Sequence, residues 1–176
     1  MRYGVFFRAI NVGKHNRVRM EDLRALATSL GYADVATYLQ TGNMALASVD
    51  SAASVGERLE VALPSLGLKD VAVIVRSRDE LQALGSTGDP FARFPVADHR
   101  HMAIFTRERV AVSEAVPYLV KGVTIVAVDD AAVLATIPRD APRPLNPNAV
   151  VESQWRTRAT TRWWNVVEEF RRDLLA

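Results

Sequence analysis

Two stretches of the sequence carry side chains of the kinds that hold anions or bases. The first joins a loop bearing Asn11, Gly13, Lys14, His15 and Asn16 to a later segment, Gln40, Thr41, Gly42 and Asn43, with Arg8 just ahead of the loop. The second is Arg156, Arg158, Thr160, Thr161, Arg162, Trp163, Trp164 and Asn165. A guanidinium offers a planar fork of donors matched to phosphate or carboxylate. A loop that leads into a helix N-terminus adds free N–H groups and the positive end of the helix dipole. Arginine beside tryptophan is the pairing that clamps phosphates while stacking bases. Each stretch also has a purely structural account. Asn, Gly, Thr and Gln at strand ends tie loops to one another, and indoles bury area in a core while Thr160 or Thr161 caps a following helix.

Recognisable catalytic sets are absent. There is no cysteine, so neither a thiolate nucleophile nor a cysteine metal site is available. The three histidines are His15, His99 and His101. An extended His99-Arg100-His101 puts two imidazoles on one face without a paired acid, so no metal site is expected. Asp129 and Asp130 are adjacent at a turn, and their side chains diverge where paired-carboxylate chemistry needs them to face each other. No serine occupies a G-x-S-x-G elbow, and neither a G-x-x-x-x-G-K-[ST] loop nor a G-x-G-x-x-G fingerprint occurs. No cofactor is implied, and the catalytic residues, if any, stay unassigned.

Composition narrows the class. The chain has 176 residues, 49% apolar and 24% charged, as in an ordinary soluble globular protein. No apolar run approaches a membrane span, and the first residues lack the charged-then-apolar pattern of a secretory signal, so a cytoplasmic protein with no membrane partner is expected. Lysine plus arginine outnumber the acids 22 to 20, and 19 of those cations are arginine. The excess is uneven: Arg2, Arg8, Lys14, Arg17, Arg19 and Arg24 face only Glu21 and Asp22 in the first 24 residues.

The elements that must position these groups follow from periodicity and punctuation. Tyr3–Ile10 reads as a strand. Met20, Leu23, Leu26, Ala27 and Leu30 recur at helical spacing, with Glu21 and Asp22 in the first turn and Gly31 closing the helix. Val35–Gln40 and Met44–Ala47 read as strands joined by a three-residue hairpin, Thr41-Gly42-Asn43. A helix begins near Ser51–Ser54, with Ser54 and Glu57 at capping-box spacing, and Val71–Val75 is a further strand. The order strand, helix, strand, strand, helix, strand is the split βαβ pattern of the ferredoxin-like plait, completed by residues 1–77. Ser77 then caps a short helix with Glu80 as partner, through Leu84, and 85–96 is a connection.

Residues 78–176 read as a second, irregular plait-like half: strands 102–106, 123–128 and 133–137, a short helix around 113–119, a helix from the Asn146-Pro147 pair to Trp155, and a last helix from about Thr161. Its stripe is Trp163, Val167, Phe170 and Leu174. The fold class is therefore α+β, two tandem ferredoxin-like halves. Strands 71–75 and 123–128 are apolar throughout rather than alternating, so both sheet faces are expected to be covered, by packing of the halves. In the first half, the split βαβ order makes the two strands flanking the first helix parallel. The loop after the first strand and the hairpin after the second then share one rim of the sheet.

Three segments in order, Arg8-Ala9-Ile10-Asn11-Val12-Gly13, Tyr38-Leu39-Gln40-Thr41-Gly42-Asn43 and Ala159-Thr160-Thr161-Arg162-Trp163-Trp164-Asn165-Val166-Val167, resemble a family of bacterial proteins, domain-of-unknown-function family 1697 (DUF1697). The resemblance implies a two-part α/β plait and no known activity. Thr41 stands where the family usually has Ser, Trp163 where it usually has Asn, and Arg143-Pro144-Leu145-Asn146 where a lysine-bearing segment is usual.

Three functions are compatible with these residues. The favoured one is a binding module for a polar or anionic ligand (a nucleotide, phosphate or nucleic acid) at the rim, with Arg8, Asn11, Gly13, Asn16, Gln40, Gly42 and Asn43 as site residues and Thr161, Arg162 and Asn165 from the second stretch. An RNA-recognition platform is disfavoured because Met44-Ala45-Leu46 supplies no aromatic. The alternatives are an enzyme of unassigned reaction using Arg8, Arg162 and nearby amides to hold an oxyanion or phosphate, with His15 the nearby candidate base, and a structural or interaction protein docking through its tryptophans.

Overall fold

A computed structural model describes residues 1–112 and 114–176, and it divides into two compact units. The first is Met1–Leu81 together with Phe170–Ala176, and the second is Gln82–Glu169. The architecture is α+β, with two antiparallel sheets.

In the first unit the elements run β1 (Arg2–Arg8), α1 (Met20–Ser29), β2 (Ala33–Tyr38), β3 (Asn43–Ala47), α2 (Ala52–Ala62) and β4 (Ala72–Ser77), the element order expected. The sheet order is β2-β3-β1-β4, every pair antiparallel. β1 is central, with Val5 opposite Met44 on one side and Val75 on the other. Its alternation splits two packing sets. Tyr3, Val5 and Phe7 join Leu23, Ala27, Val55 and Leu59 of the helices in one buried cluster. On the other face Phe6 packs against Phe170, ring centroids 5.6 Å apart. Gly4 leaves room there: a Cβ would stand 2.5 Å from Leu81 Cδ1 and 3.0 Å from Phe170 Cε1. Both faces of β1 are thus covered within this unit.

Local chemistry sets the boundaries. β1 ends at Arg8 rather than Ile10 because Ala9 and Asn11 turn to positive φ, 64° and 52°, outside the extended region. α1 closes as expected at Gly31 (φ 88°), where the Gly31 N–H donates to Thr28 O and the Tyr32 N–H to Ala27 O. α2 is capped by Ser51, whose side chain accepts from the Ser54 N–H, so the Ser54–Glu57 pair is not the cap. The hairpin is also one residue longer than expected: Tyr38 pairs with Asn43, which makes the connection 39–42 and places Asn43 at the start of β3. The expected box at Ser77 is present, with the Ser77 N–H donating to Glu80 Oε2 at 2.7 Å and the Glu80 N–H to Ser77 Oγ at 3.2 Å. It opens α3 (Arg78–Ala83).

The second unit departs further from expectation. Its sheet comprises β5 (His99–Thr106), β6 (Tyr118–Val120), β7 (Val123–Val128), β8 (Val133–Pro138) and β9 (Ala159–Trp163), in the order β6-β7-β8-β5-β9. The helix expected over 113–119 is not formed: Ser113 lies outside the described residues, and Tyr118–Val120 pairs with β7. Pro117 explains this, since it supplies no N–H and biases Val116 away from helical geometry. α4 (Pro147–Trp155) matches its expectation, with Asn146 Oδ1 accepting from the Ala149 N–H at 3.1 Å.

The last helix, α5 (Trp164–Leu174), begins three residues later than expected. Ala159–Trp163 instead forms an edge strand on β5, with Phe105 opposite Thr160, so Thr160 and Thr161 belong to the sheet and cap nothing. A ladder available on β5 outweighs helical periodicity for β-branched residues. Among the described residues no helix is long and apolar enough to cross a membrane.

Two glycines on the rim test this packing. At Gly42 (φ 81°) a Cβ would lie 2.7 Å from Ile10 Cδ1 and 3.0 Å from Phe7 Cβ, whereas at Gly13 (φ 60°) it would meet nothing within 4 Å. Gly13→Ala should therefore cost about 1 kcal/mol, the left-handed backbone alone. Gly42→Ala should cost about 2–4 kcal/mol, because overpacking is added. Urea unfolding of both variants measures the difference.

Candidate functional site

The rim exists in the first unit, and its two loops touch. The Phe7 N–H donates to Gly42 O at 2.9 Å, and Asn11 Nδ2 donates to Gln40 O at 2.9 Å. The asparagines, however, are spent on the chain itself. Asn11 Nδ2 also donates to Val18 O at 3.0 Å while its Oδ1 accepts from the Val18 N–H at 2.9 Å. Asn16 Nδ2 donates to Ala9 O and Lys69 O at 3.0 and 2.8 Å, and its Oδ1 accepts from the Lys69 N–H at 3.0 Å. Asn43, 1% exposed, donates to Tyr38 O and Thr41 Oγ1. These three amides are loop ties. Gly42 is buried as a spacer under Ile10, Gly13 is exposed at the loop tip, and Arg8 ends β1 opposite Ala72.

Beside that rim lies a cleft of about 630 Å³. Asn11 and Gln40 line it, together with Arg17, Arg19 and Arg24, the acids Glu21 and Asp22, and Leu66. Arg8, Gly13, Asn16 and Asn43 are not on its lining, nor is His15, which is exposed on the loop. The cationic residues of the cleft differ in what they already hold. Arg19 contacts the carboxylate of Glu21 and lies 3.7 Å from Asp22. Arg24 donates to Thr37 Oγ1 at 2.5 Å. The Arg17 guanidinium and the Gln40 carboxamide have no partner among the described residues. Arg19 occupies the N-cap position of α1 without a side-chain cap, and the first-turn residues Met20, Glu21 and Asp22 line the same cleft. Sequence reading missed Arg17, Arg19 and Arg24 as lining residues. Their signal was the cation excess before α1, which gives no direction until the loop is folded.

The second stretch is in the second unit. Thr161 Oγ1 donates to Asn148 Oδ1 at 2.7 Å, a tie to α4. Arg162 is buried at 7% exposure, its Nη1 donating to Thr160 Oγ1 at 2.7 Å and Thr161 O at 2.8 Å. Burial pushes this guanidinium down to about 10, still well above neutrality, so it stays charged at physiological pH. Asn165 is exposed and lines a second cleft of about 570 Å³. Among the described residues no group of three or more His, Cys, Asp or Glu could hold a metal ion.

Comparison with known proteins adds the relationship. The family model described as "Protein of unknown function (DUF1697)" matches residues 1–133. The chain belongs to the DUF1697 family. A search of curated proteins returns no significant match. Among solved structures, this DUF1697 chain is similar to a conserved bacterial protein from Streptococcus pneumoniae, with 22% identity, a TM-score of 0.67 and 98% of each chain covered. That likeness speaks to fold alone. The family match holds the rim and its cleft, whereas the 159–167 segment lies past its end.

If Asn16 is a loop tie, its removal should register as stability. Asn16→Ala forfeits three hydrogen bonds and should cost about 1–3 kcal/mol in urea unfolding. Asn16→Asp should cost more, because a carboxylate would face the Ala9 and Lys69 carbonyl oxygens.

Proposed function

We propose that this DUF1697 protein is a binding module for a small anion, a phosphate or carboxylate group, held in the cleft between the loop before α1 and the β2–β3 hairpin. The observation that carries the reading is the pair Arg17 and Gln40: two donor-bearing side chains without partners among the described residues, lining one cleft of about 630 Å³. Arg24 and the start of α1, which has no side-chain cap, support it, since both line the cleft and carry donors. Glu21 and Asp22 keep the local charge moderate, which favours a small ligand over a polyanion. Residues 1–77 are read here as a ferredoxin-like plait, supported by the strand order β2-β3-β1-β4. A bacterial setting belongs to the same reading, supported by the bacterial origin of the structural neighbour.

Thermal unfolding with phosphate, against chloride at matched ionic strength, checks the proposal. For a dissociation constant of about 0.1 mM, about 10 mM phosphate adds about 2.7 kcal/mol of stability, a rise of roughly 5–10 °C for a chain of this size. The Arg17→Ala, Gln40→Ala double variant should lose that rise while keeping its melting temperature in chloride. An equal rise in the variant, or none in the parent, overturns the proposal.

A further inference from the structure

The second cleft has a different chemical character. It sits where β9 turns into α5 and β5 runs on beyond its neighbour: Met102 is opposite Trp163, while Arg100 has only β8 beside it, at Ile137. Val96, Arg100, His101, Arg139, Trp163, Trp164, Asn165 and Glu168 line it.

Trp163 is 42% exposed, while the other two indoles are engaged: Trp155 Nε1 donates to Ala111 O at 2.8 Å, and Trp164 meets the Phe91 ring edge-on at 5.4 Å. The contact made by the Trp163 ring is the Arg100 guanidinium, 5.8 Å from its centroid. Arg100 has no hydrogen-bond or carboxylate partner among the described residues, so its fork is unspent. Arg139 is anchored at its base, Nε donating to Val96 O at 2.7 Å and its N–H to Asp98 O at 2.8 Å, which leaves the outer guanidinium nitrogens for a ligand.

His101 is held more tightly still. Its ring stacks on Phe91 with centroids 4.2 Å apart and planes within 5°, and Nε2 lies 2.5 Å from Phe94 O. A carbonyl only accepts, so the Nε2–H is the donor of this bond. The ring is part-buried and lines the cleft. Asn165 adds an exposed amide, with a donor and an acceptor.

A flat exposed ring, two guanidinium groups with spare donors, an imidazole held in place and an amide together complement one class of molecule: a planar base carrying an anionic group. We propose that this cleft binds a nucleoside monophosphate, its base stacked on Trp163 and hydrogen-bonded through the His101 imidazole or the Asn165 amide, its phosphate on Arg100 and Arg139. A volume of about 570 Å³ is ample for such a molecule. Phosphate alone would leave the ring and the imidazole unused, and a nucleoside alone would leave both arginines unused.

Isothermal titration with AMP and GMP tests this, run in the Arg17→Ala, Gln40→Ala background so that phosphate captured in the first unit does not contribute. Saturable binding of at least one nucleotide is expected, with adenosine or guanosine and inorganic phosphate each at least about tenfold weaker. Trp163→Leu and Arg100→Gln, both at exposed positions, should each weaken the nucleotide about tenfold or more while circular dichroism melting stays at the parent temperature. Absence of saturable heat, or equal affinity in Trp163→Leu, overturns the site. A single-stranded ten-nucleotide DNA or RNA that binds more tightly than the mononucleotide overturns the free-nucleotide assignment in favour of a nucleic-acid contact.

Discussion

The carboxamide of Asn11 is the joint on which the first unit's rim depends. One side chain grips the backbone of Val18 at both its N–H and its C=O, and the same Nδ2 reaches the carbonyl of Gln40. Asn11 itself has a φ of 52°, a conformation asparagine tolerates better than most residues with a side chain. The loop after β1 is therefore locked at once to the entry of α1 and to the β2–β3 hairpin. Asn16 performs the matching task on the other side, joining Ala9 to Lys69. Polar loop backbone must find partners somewhere, and here side-chain amides supply them where no ladder can. The cleft lies beside that stitching: Arg17, which lines it, follows Asn16 directly in the chain.

What could be read from the residues divides along physical lines. Features decided within a few residues were legible: the Gly31 closure of α1, the Ser77–Glu80 box, the Asn146-Pro147 start of α4. The meeting of the rim loops was legible too, because the order of strands and a helix crossover leaves little freedom about which ends coincide. What the residues concealed were competitions settled by tertiary contact. Ala159–Trp163 sits at the head of an amphipathic stripe, yet β5 offers it a ladder and takes it. The return of Phe170 and Leu175 to the face of β1 that carries Phe6 and Gly4 has no local cue. The site residues failed for a related reason. Asn, Gly and Gln are equally good as ligands and as loop ties, and only the hydrogen-bond partners tell them apart.

The arginines bear this out. Nineteen of the 22 cations are arginine, and many act as fasteners for carbonyl groups distant in sequence. Arg2 donates to Leu174 O at 2.6 Å, Arg58 to Leu30 O at 2.7 Å, Arg109 to Asp130 O at 2.6 Å and Arg139 to Val96 O at 2.7 Å. Arg58 also holds Asp50 at 2.6 Å and covers the Tyr32 ring at 5.2 Å, so one side chain joins three segments. A planar fork on a long stem serves this purpose, presenting several donors in fixed directions while the stem packs. A chain without cysteine ties its loops in this way.

That pattern makes the exceptions informative. A guanidinium that has already given its donors to carbonyl groups has little left for a ligand, and Arg162, buried and bonded within its own strand, belongs to this structural set. Arg17 and Arg100 do not. Each lies in a cleft, and neither guanidinium donates to a described residue. Full exposure would make such a side chain unremarkable, since water satisfies it. What separates these two is their company. Arg17 shares its cleft with an unspent amide, and Arg100 rests on an indole left 42% exposed. An indole so placed forgoes apolar burial, and an arginine above it holds ready a charge that the fold does not use. Residues that the protein's own structure leaves unemployed, side by side in a concavity, are where recognition of another molecule finds its contacts.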